Sequence, residues 1–198
     1  MVKGLLIKGN IKLGSEVYIF NLPPLETCTP TNWCLEGRNG KPICYALRNN
    51  YILPSVVHSL DERYSLSLQG NFVERMITEI HRKRPAFFRF HSAGDFYSEE
   101  YVGKVNEIAR NCPETLFRTT TRRRDLTRSL QELNSLPNFI VRESLDTERP
   151  VPKMGLLFTA LSRLPIAQKT DTYHCLEDCV ECDYYCWQYR VNVSFDEF

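Results

Sequence analysis

Three short runs of strand-forming residues, AFFRFH (86–91), TLFRTTT (115–121) and NFIVRES (138–144), recur through the middle of the chain with a helical stretch between each pair. No other feature restricts the fold as much. Strands alternating with helices specify βα units and a parallel sheet, because parallel neighbours need a crossover long enough to hold a helix. Before the first run, Phe72, Val73, Met76, Ile77 and Ile80 recur at helical spacing and predict a helix over 71–84, closed by Pro85. The run breaks at Ser92-Ala93-Gly94-Asp95, after which Ser98 is placed to cap a helix carrying Val102, Val105, Ile108 and Ala109 on one face. Asp125 is placed to cap a third, with Leu126, Leu130 and Leu133. Eight such units take about 250 residues, more than the 198 present. The expected fold is α/β, a partial (β/α) barrel or an open parallel sheet. One domain is expected over 1–198, with cysteine-rich segments at 28–44 and 175–186.

In parallel α/β folds chemistry gathers where the strands end. Here the first strand is read as ending in Arg89, His91, Ser92 and Asp95, and the second in Arg118, Thr119, Thr120, Thr121 and Arg122. The third ends in Arg142, Glu143, Ser144 and Asp146. Three polar ends in succession read as a lined pocket, with His91 and Asp95 as candidate acid and base. A turn that hydrogen-bonds its own backbone is the plainer alternative for the same residues. The run Arg122-Arg123-Arg124, with Arg118 and Arg128 nearby, fits a phosphate, a carboxylate or a nucleic-acid backbone, or else a solvated helix start. Three cations just ahead of an N-cap oppose the helix dipole.

The second constraint is eight cysteines. The opening MVKGLLIKGNIKLG is too short in apolar residues and too rich in lysine for a secretion signal, and no apolar run reaches the roughly 18 residues that span a bilayer. The expectation is a soluble cytoplasmic protein, in which so many thiols point to metal or redox chemistry rather than to disulfides. Cys175, Cys179, Cys182 and Cys186 are spaced closely enough for turns and single helical turns to converge them on one centre. His174 is read as a hydrogen-bonding neighbour of that set. The set at Cys28, Cys34 and Cys44 is looser and has no fourth thiol nearby, which suits a cluster with one iron left open or a metal completed from elsewhere. Cys112 reads as a small buried hydrophobe. Iron–sulfur and zinc both accept such ligands; so many thiols beside one histidine lean toward iron–sulfur, in one or two [4Fe–4S] clusters, with zinc as the alternative. Net charge is +1, so global electrostatics favour neither nucleic acid nor membrane.

The opening GNIKLG, then FNLPPLETC, CYA (44–46) and RFHSAGDFYSEEY, in that order and followed by a cysteine-rich tail, resemble the gene product 88-like family of phages and plasmids. The resemblance runs over almost the whole chain, with a widened gap between Cys34 and Cys44 and Ala93 inserted into the serine-glycine-aspartate stretch. A second, more distant similarity follows from Cys44-Tyr45, which resembles the close of the cluster loop in several radical S-adenosylmethionine enzymes. That similarity implies Cys28, Cys34 and Cys44 as ligands of a [4Fe–4S] cluster at the top of a partial barrel, with its open iron binding S-adenosylmethionine. It puts Ser92, Gly94 and Asp95 beside the cofactor and an auxiliary cluster on the C-terminal four cysteines.

Three functional expectations result. The first is a radical S-adenosylmethionine-like enzyme acting on a nucleotide or nucleic acid of a mobile element, with Arg89, His91, Asp95, Arg118 and Arg142 lining its pocket. The second is a zinc-stapled barrel enzyme that exchanges or modifies a base, with Asp95 or Asp146 as nucleophile. The third is a zinc-containing nucleic-acid-binding protein without catalysis. The partner is a small molecule or a nucleic acid in each case, and not a membrane.

Overall fold

A computed structural model describes residues 4–37 and 40–196. The strands are β1 (Ile7–Lys8), β2 (Val17–Phe20), β3 (Phe87–Phe90), β4 (Leu116–Thr121), β5 (Phe139–Leu145), β6 (Leu157–Leu161), β7 (Thr172–His174) and β8 (Asn192–Phe195). The helices are α1 (Asn32–Leu35), α2 (Pro54–Ser67), α3 (Phe72–Lys83), α4 (Glu99–Arg110), α5 (Thr127–Asn134), α6 (Pro165–Lys169) and α7 (Tyr185–Gln188). The strands form one open sheet in the order β1-β2-β3-β4-β5-β6-β8-β7. Every pairing is parallel except β1 with β2. The α/β expectation holds in its open-sheet form, and the sheet does not close into a barrel.

From β2 to β6 each strand lies beside the next in sequence, so crossovers of one hand bring their helices to one face. Phe72, Met76 and Ile80 of α3, Val102 and Val105 of α4, and Leu130 and Leu133 of α5 all join Phe20, Phe88, Phe90, Phe117 and Phe139 in one core. Local chemistry explains the helix ends. The Ser98 side chain caps α4 by accepting from the Tyr101 N–H at 3.1 Å, and Glu99 and Glu100 meet the positive end of its dipole. α3 stops where Arg84 turns left-handed ahead of Pro85. Asp125 is a correction: it pairs with Arg123 at 2.7 Å and caps nothing, because a 3-10 turn over Arg124–Leu126 separates it from α5.

Among the described residues, no helix longer than the four-residue α7 packs on the opposite face. It is the face of Val17, Phe87, Arg89, Leu116, Arg118 and Arg142, as register and alternation require. Its lower part is covered by the C-terminal segment: Tyr184 stacks on Phe87 at 4.2 Å, and Trp187 packs with Val17 and Val193. Arg89, Arg118 and Arg142 therefore sit within their strands on the open face, and not at the strand ends where the sequence put them.

Candidate functional site

β2 supplies the frame that the sequence did not announce. It is the first parallel strand, and the chain leaving it carries Cys28, Cys34 and Cys44 across the C-terminal ends of β3, β4 and β5. The strand ends hold this loop through side chains. Asn21 Oδ1 accepts the N–H groups of Ser92 (2.8 Å) and Ala93 (3.1 Å). Thr27 Oγ1 donates to the Pro23 carbonyl and accepts the Asp95 N–H at 3.1 Å. Thr31 donates to Asp146 Oδ2 at 2.9 Å, and Tyr45 donates to the Ser92 carbonyl. Gly94 permits the approach: its φ is +80°, and an added Cβ would lie 2.7 Å from the Leu22 carbonyl and 2.8 Å from Thr27 Oγ1.

The two candidate nucleophilic carboxylates are clasps in this geometry. Asp95 is buried, and its oxygens accept from Thr121 Oγ1 (2.7 Å), Phe96 N (2.8 Å) and Arg122 N (2.9 Å). Burial pushes its carboxyl up to about 6 against the pull of those donors. Asp146 accepts from Thr31, from Glu148 N and Arg149 N at 2.9 Å, and from the Arg122 guanidinium. The arginine run is spoken for as well. Arg122 pairs with Asp146, Arg123 with Asp125, and Arg124 with fully buried Glu143 at 2.6 Å. Neither a solvated helix start nor a free anion site describes these three residues.

His91 sits at φ 62°, where β3 turns away. It is buried, with Nε2 3.0 Å from the Tyr101 hydroxyl and its ring edge-on to Phe96. Burial, with Arg89 adding to it, pushes its pKa down to about 3, so the ring is neutral at ordinary pH. Its Nδ1 and the Ser92 hydroxyl are buried without hydrogen-bond partners among the described residues.

The thiols fall into two groups. Cys28 and Cys44 sense each other, and Cys44 senses Cys34. Burial first, then Asp95, pushes Cys28 up to about 12, while Arg122 opposes the burial of Cys44. The C-terminal set bears on itself and on Arg118: burial pushes Cys179 up to about 12, with Cys186, Cys182 and Cys175 adding to it. Arg118 donates to Cys186 Sγ and lies 4.3 Å over the Trp187 ring. The two groups thus occupy different parts of the molecule. Among the described residues, no group of three or more His, Cys, Asp or Glu side chains is placed to hold a metal ion. Cys112 packs in the helix-side core, and His174 Nδ1 lies 3.3 Å from Ser194 Oγ.

A groove of about 610 Å³ runs between α4 and α5, lined by Glu99, Asn106, Glu107 and Glu132. It lies on the helix layer, apart from the strand ends and both thiol groups. None of the helices among the described residues is long and apolar enough to cross a membrane.

The profile of the gene product 88 family matches residues 4–157, which include β2, the first three cysteines and the ends of β3, β4 and β5. The chain belongs to the gene product 88 family. For this family member the match stops before Cys175–Cys186, so the tail that the sequence resemblance took in lies outside it. No curated protein and no solved structure matches the chain. Several residues that build the mouth carry no signal of that role in the sequence: Asn21, Thr27 and Thr31 are ordinary loop residues until the fold brings them to the strand ends, and Tyr45, noted only beside Cys44, joins them through the Ser92 carbonyl.

Proposed function

We propose that this protein is an iron–sulfur enzyme with radical S-adenosylmethionine-like chemistry, acting on a nucleotide or nucleic acid of a mobile element. One observation carries the reading: Cys28, Cys34 and Cys44 share the loop that leaves the first parallel strand and crosses the C-terminal ends of the next three. The donor set suits the group in its chemistry, while the three thiols as they lie are not gathered to hold a metal ion. Burial pushes Cys28 and Cys44 upward, so both are held as neutral thiols unless a cation takes their protons' place. A [4Fe–4S] cluster held by three thiolates keeps one iron open to a ligand and supplies one-electron chemistry there.

The chain's own residues then bind and orient. Thr31 contacts Cys34 Sγ at 3.4 Å, and through Asp146 it fixes the loop to β5. Asp95 holds the ends of β3 and β4 together beside Cys28. The Ser92 hydroxyl and neutral His91 Nδ1 are the unpartnered polar atoms that would take up a cofactor or substrate group at the mouth. A second reading, a zinc staple on the C-terminal cysteines, is favoured by their apolar setting with Tyr184 and Trp187 against the starts of β2 and β3. The protein would then be a zinc-stapled enzyme on the same sheet.

Anaerobic purification with iron, sulfide and zinc analysis tests both. The expected protein is brown, absorbs broadly near 400 nm, and holds about four or eight irons per chain. Changing Cys28, Cys34 or Cys44 to alanine should remove about four irons. A colourless chain with one zinc, unchanged after anaerobic reconstitution, refutes the first reading and supports the second.

A further inference from the structure

The open face of the sheet carries an uncompensated charge. Alternation and register give the open-face positions of β2 to β6 three arginines and no acidic residue. Arg89 and Arg118 are register partners on adjacent strands, and Arg142 follows one alternation further along on β5. Like charges side by side on a sheet repel, so such a row is costly on its own. Each guanidinium also keeps a buried nitrogen with no hydrogen-bond partner among the described residues: Nε of Arg89, Nε of Arg118 and Nη1 of Arg142.

The neighbouring acids have other duties. Glu143 pairs with Arg124, Asp146 with Arg122, and Asp95 closes the strand ends. Arg118 has Cys186 Sγ and the face of Trp187, and Arg142 has the carbonyls of Val191 (2.8 Å) and Tyr189 (3.2 Å). The Arg89 guanidinium has no hydrogen-bond or ion-pair partner among the described residues, and its charge is felt by Tyr51. Arg142 is 1% exposed, whereas Arg89 and Arg118 are partly exposed, so the row opens to one side.

We propose that Arg89, Arg118 and Arg142 bind the phosphate end of a small phosphate-bearing ligand. This deepens the reading above by assigning the charge class of its substrate or cofactor. A phosphate fits the row better than a carboxylate. It brings nearly two charges and three strong acceptor oxygens, where a carboxylate brings one charge and two oxygens. The row is narrow, with Arg89 and Arg118 on adjacent strands beside the C-terminal cover, which suits a small molecule or a chain end better than the broad backbone of a duplex.

Titration calorimetry on the anaerobically purified full chain, in phosphate-free buffer, tests this with pyrophosphate, a nucleoside triphosphate, the parent nucleoside, citrate and a short DNA duplex. Pyrophosphate and the triphosphate should bind, the nucleoside and duplex should not, and citrate should bind at least tenfold more weakly. R89M, R118M and R142M should each weaken pyrophosphate binding roughly tenfold to a hundredfold, the size of one charge-assisted contact. R82M, at an exposed position of α3, should leave binding unchanged. R89K retains the charge and serves as a second, gentler variant, and circular dichroism confirms that each folds. Absent pyrophosphate binding, citrate binding of equal strength, or arginine variants that bind as the parent does would each overturn the proposal. Iron analysis fails independently: a chain without iron that still binds pyrophosphate through these arginines refutes only the iron–sulfur reading.

Discussion

Replacing Arg142 with methionine is expected to make the folded protein more stable. Burial, reinforced by the like charge of Arg118, pushes this guanidinium from 12.5 down to about 9. A cation whose pKa is lower in the folded state is penalised at every pH below the folded value. The penalty fades only as pH rises from about 9 to 12.5. At 1.36 kcal/mol per unit the difference is roughly 5 kcal/mol, present in full at pH 7. Methionine removes that cost and forfeits the bonds to the Val191 and Tyr189 carbonyls, which offsets about 1–3 kcal/mol. The net gain is about 2–4 kcal/mol, inside the range of roughly 1–4 kcal/mol found when buried ions are exchanged for apolar side chains. For a chain of this size that raises the thermal midpoint by about 4–16 °C. The assay is denaturant unfolding from pH 6 to 10 in phosphate-free, low-salt buffer, since a ligand bound only by the folded parent would mask the gain. A variant less stable than the parent by 1 kcal/mol or more, or a gap that fails to narrow above pH 9, refutes the reasoning.

Other perturbations read other parts of the frame. Glu143→Leu strands the Lys153 and Met154 N–H groups that the carboxylate accepts at 2.8 and 2.9 Å, and should cost about 2–4 kcal/mol in chemical denaturation. His91 is held neutral, so the unfolded chain gains a proton as pH falls from about 6.5 toward 3 and the fold does not. Stability should therefore drop by about 1.4 kcal/mol per pH unit in that window, relative to H91N, whose slope lacks this contribution. Gly94→Ala forces a Cβ against the Leu22 backbone at a left-handed φ and should cost about 2 kcal/mol or more in denaturant titration. An unchanged midpoint would show that the β3 turn tolerates a side chain.

The middle of the fold is legible in the sequence because its elements are long enough to show a period. Phe72, Met76 and Ile80 announce α3, and the aromatic run at 87–90 announces β3. β2, β6, β7 and β8 are three to five residues long or lack alternation, and α2 sorts its apolar residues poorly, leaving Val57 exposed. The cost of missing β2 was positional: without it, Cys28–Cys44 are three thiols near one terminus, and with it they lie over the strand ends. The arginines show the reverse case. Counting alternate residues from Phe87, Leu116 and Ile140 puts Arg89, Arg118 and Arg142 on one face, so a period already present in the sequence held their relation. The duties of Asp95 and Asp146 were not legible, since their partners Thr27, Thr31, Thr121 and Arg122 come from distant segments.

β8 lies between β6 and β7, so β7 joins the sheet through β8 alone. The segment that bears Cys175–Cys186 is slung between these two strands and covers the lower part of the arginine face. Melting the short β8 ladder would release β7, the four thiols and that cover together, while β2 to β6 stayed intact on their helices. This corner is expected to open as one cooperative unit. Its amides should exchange with solvent together and ahead of those in β3, β4 and β5.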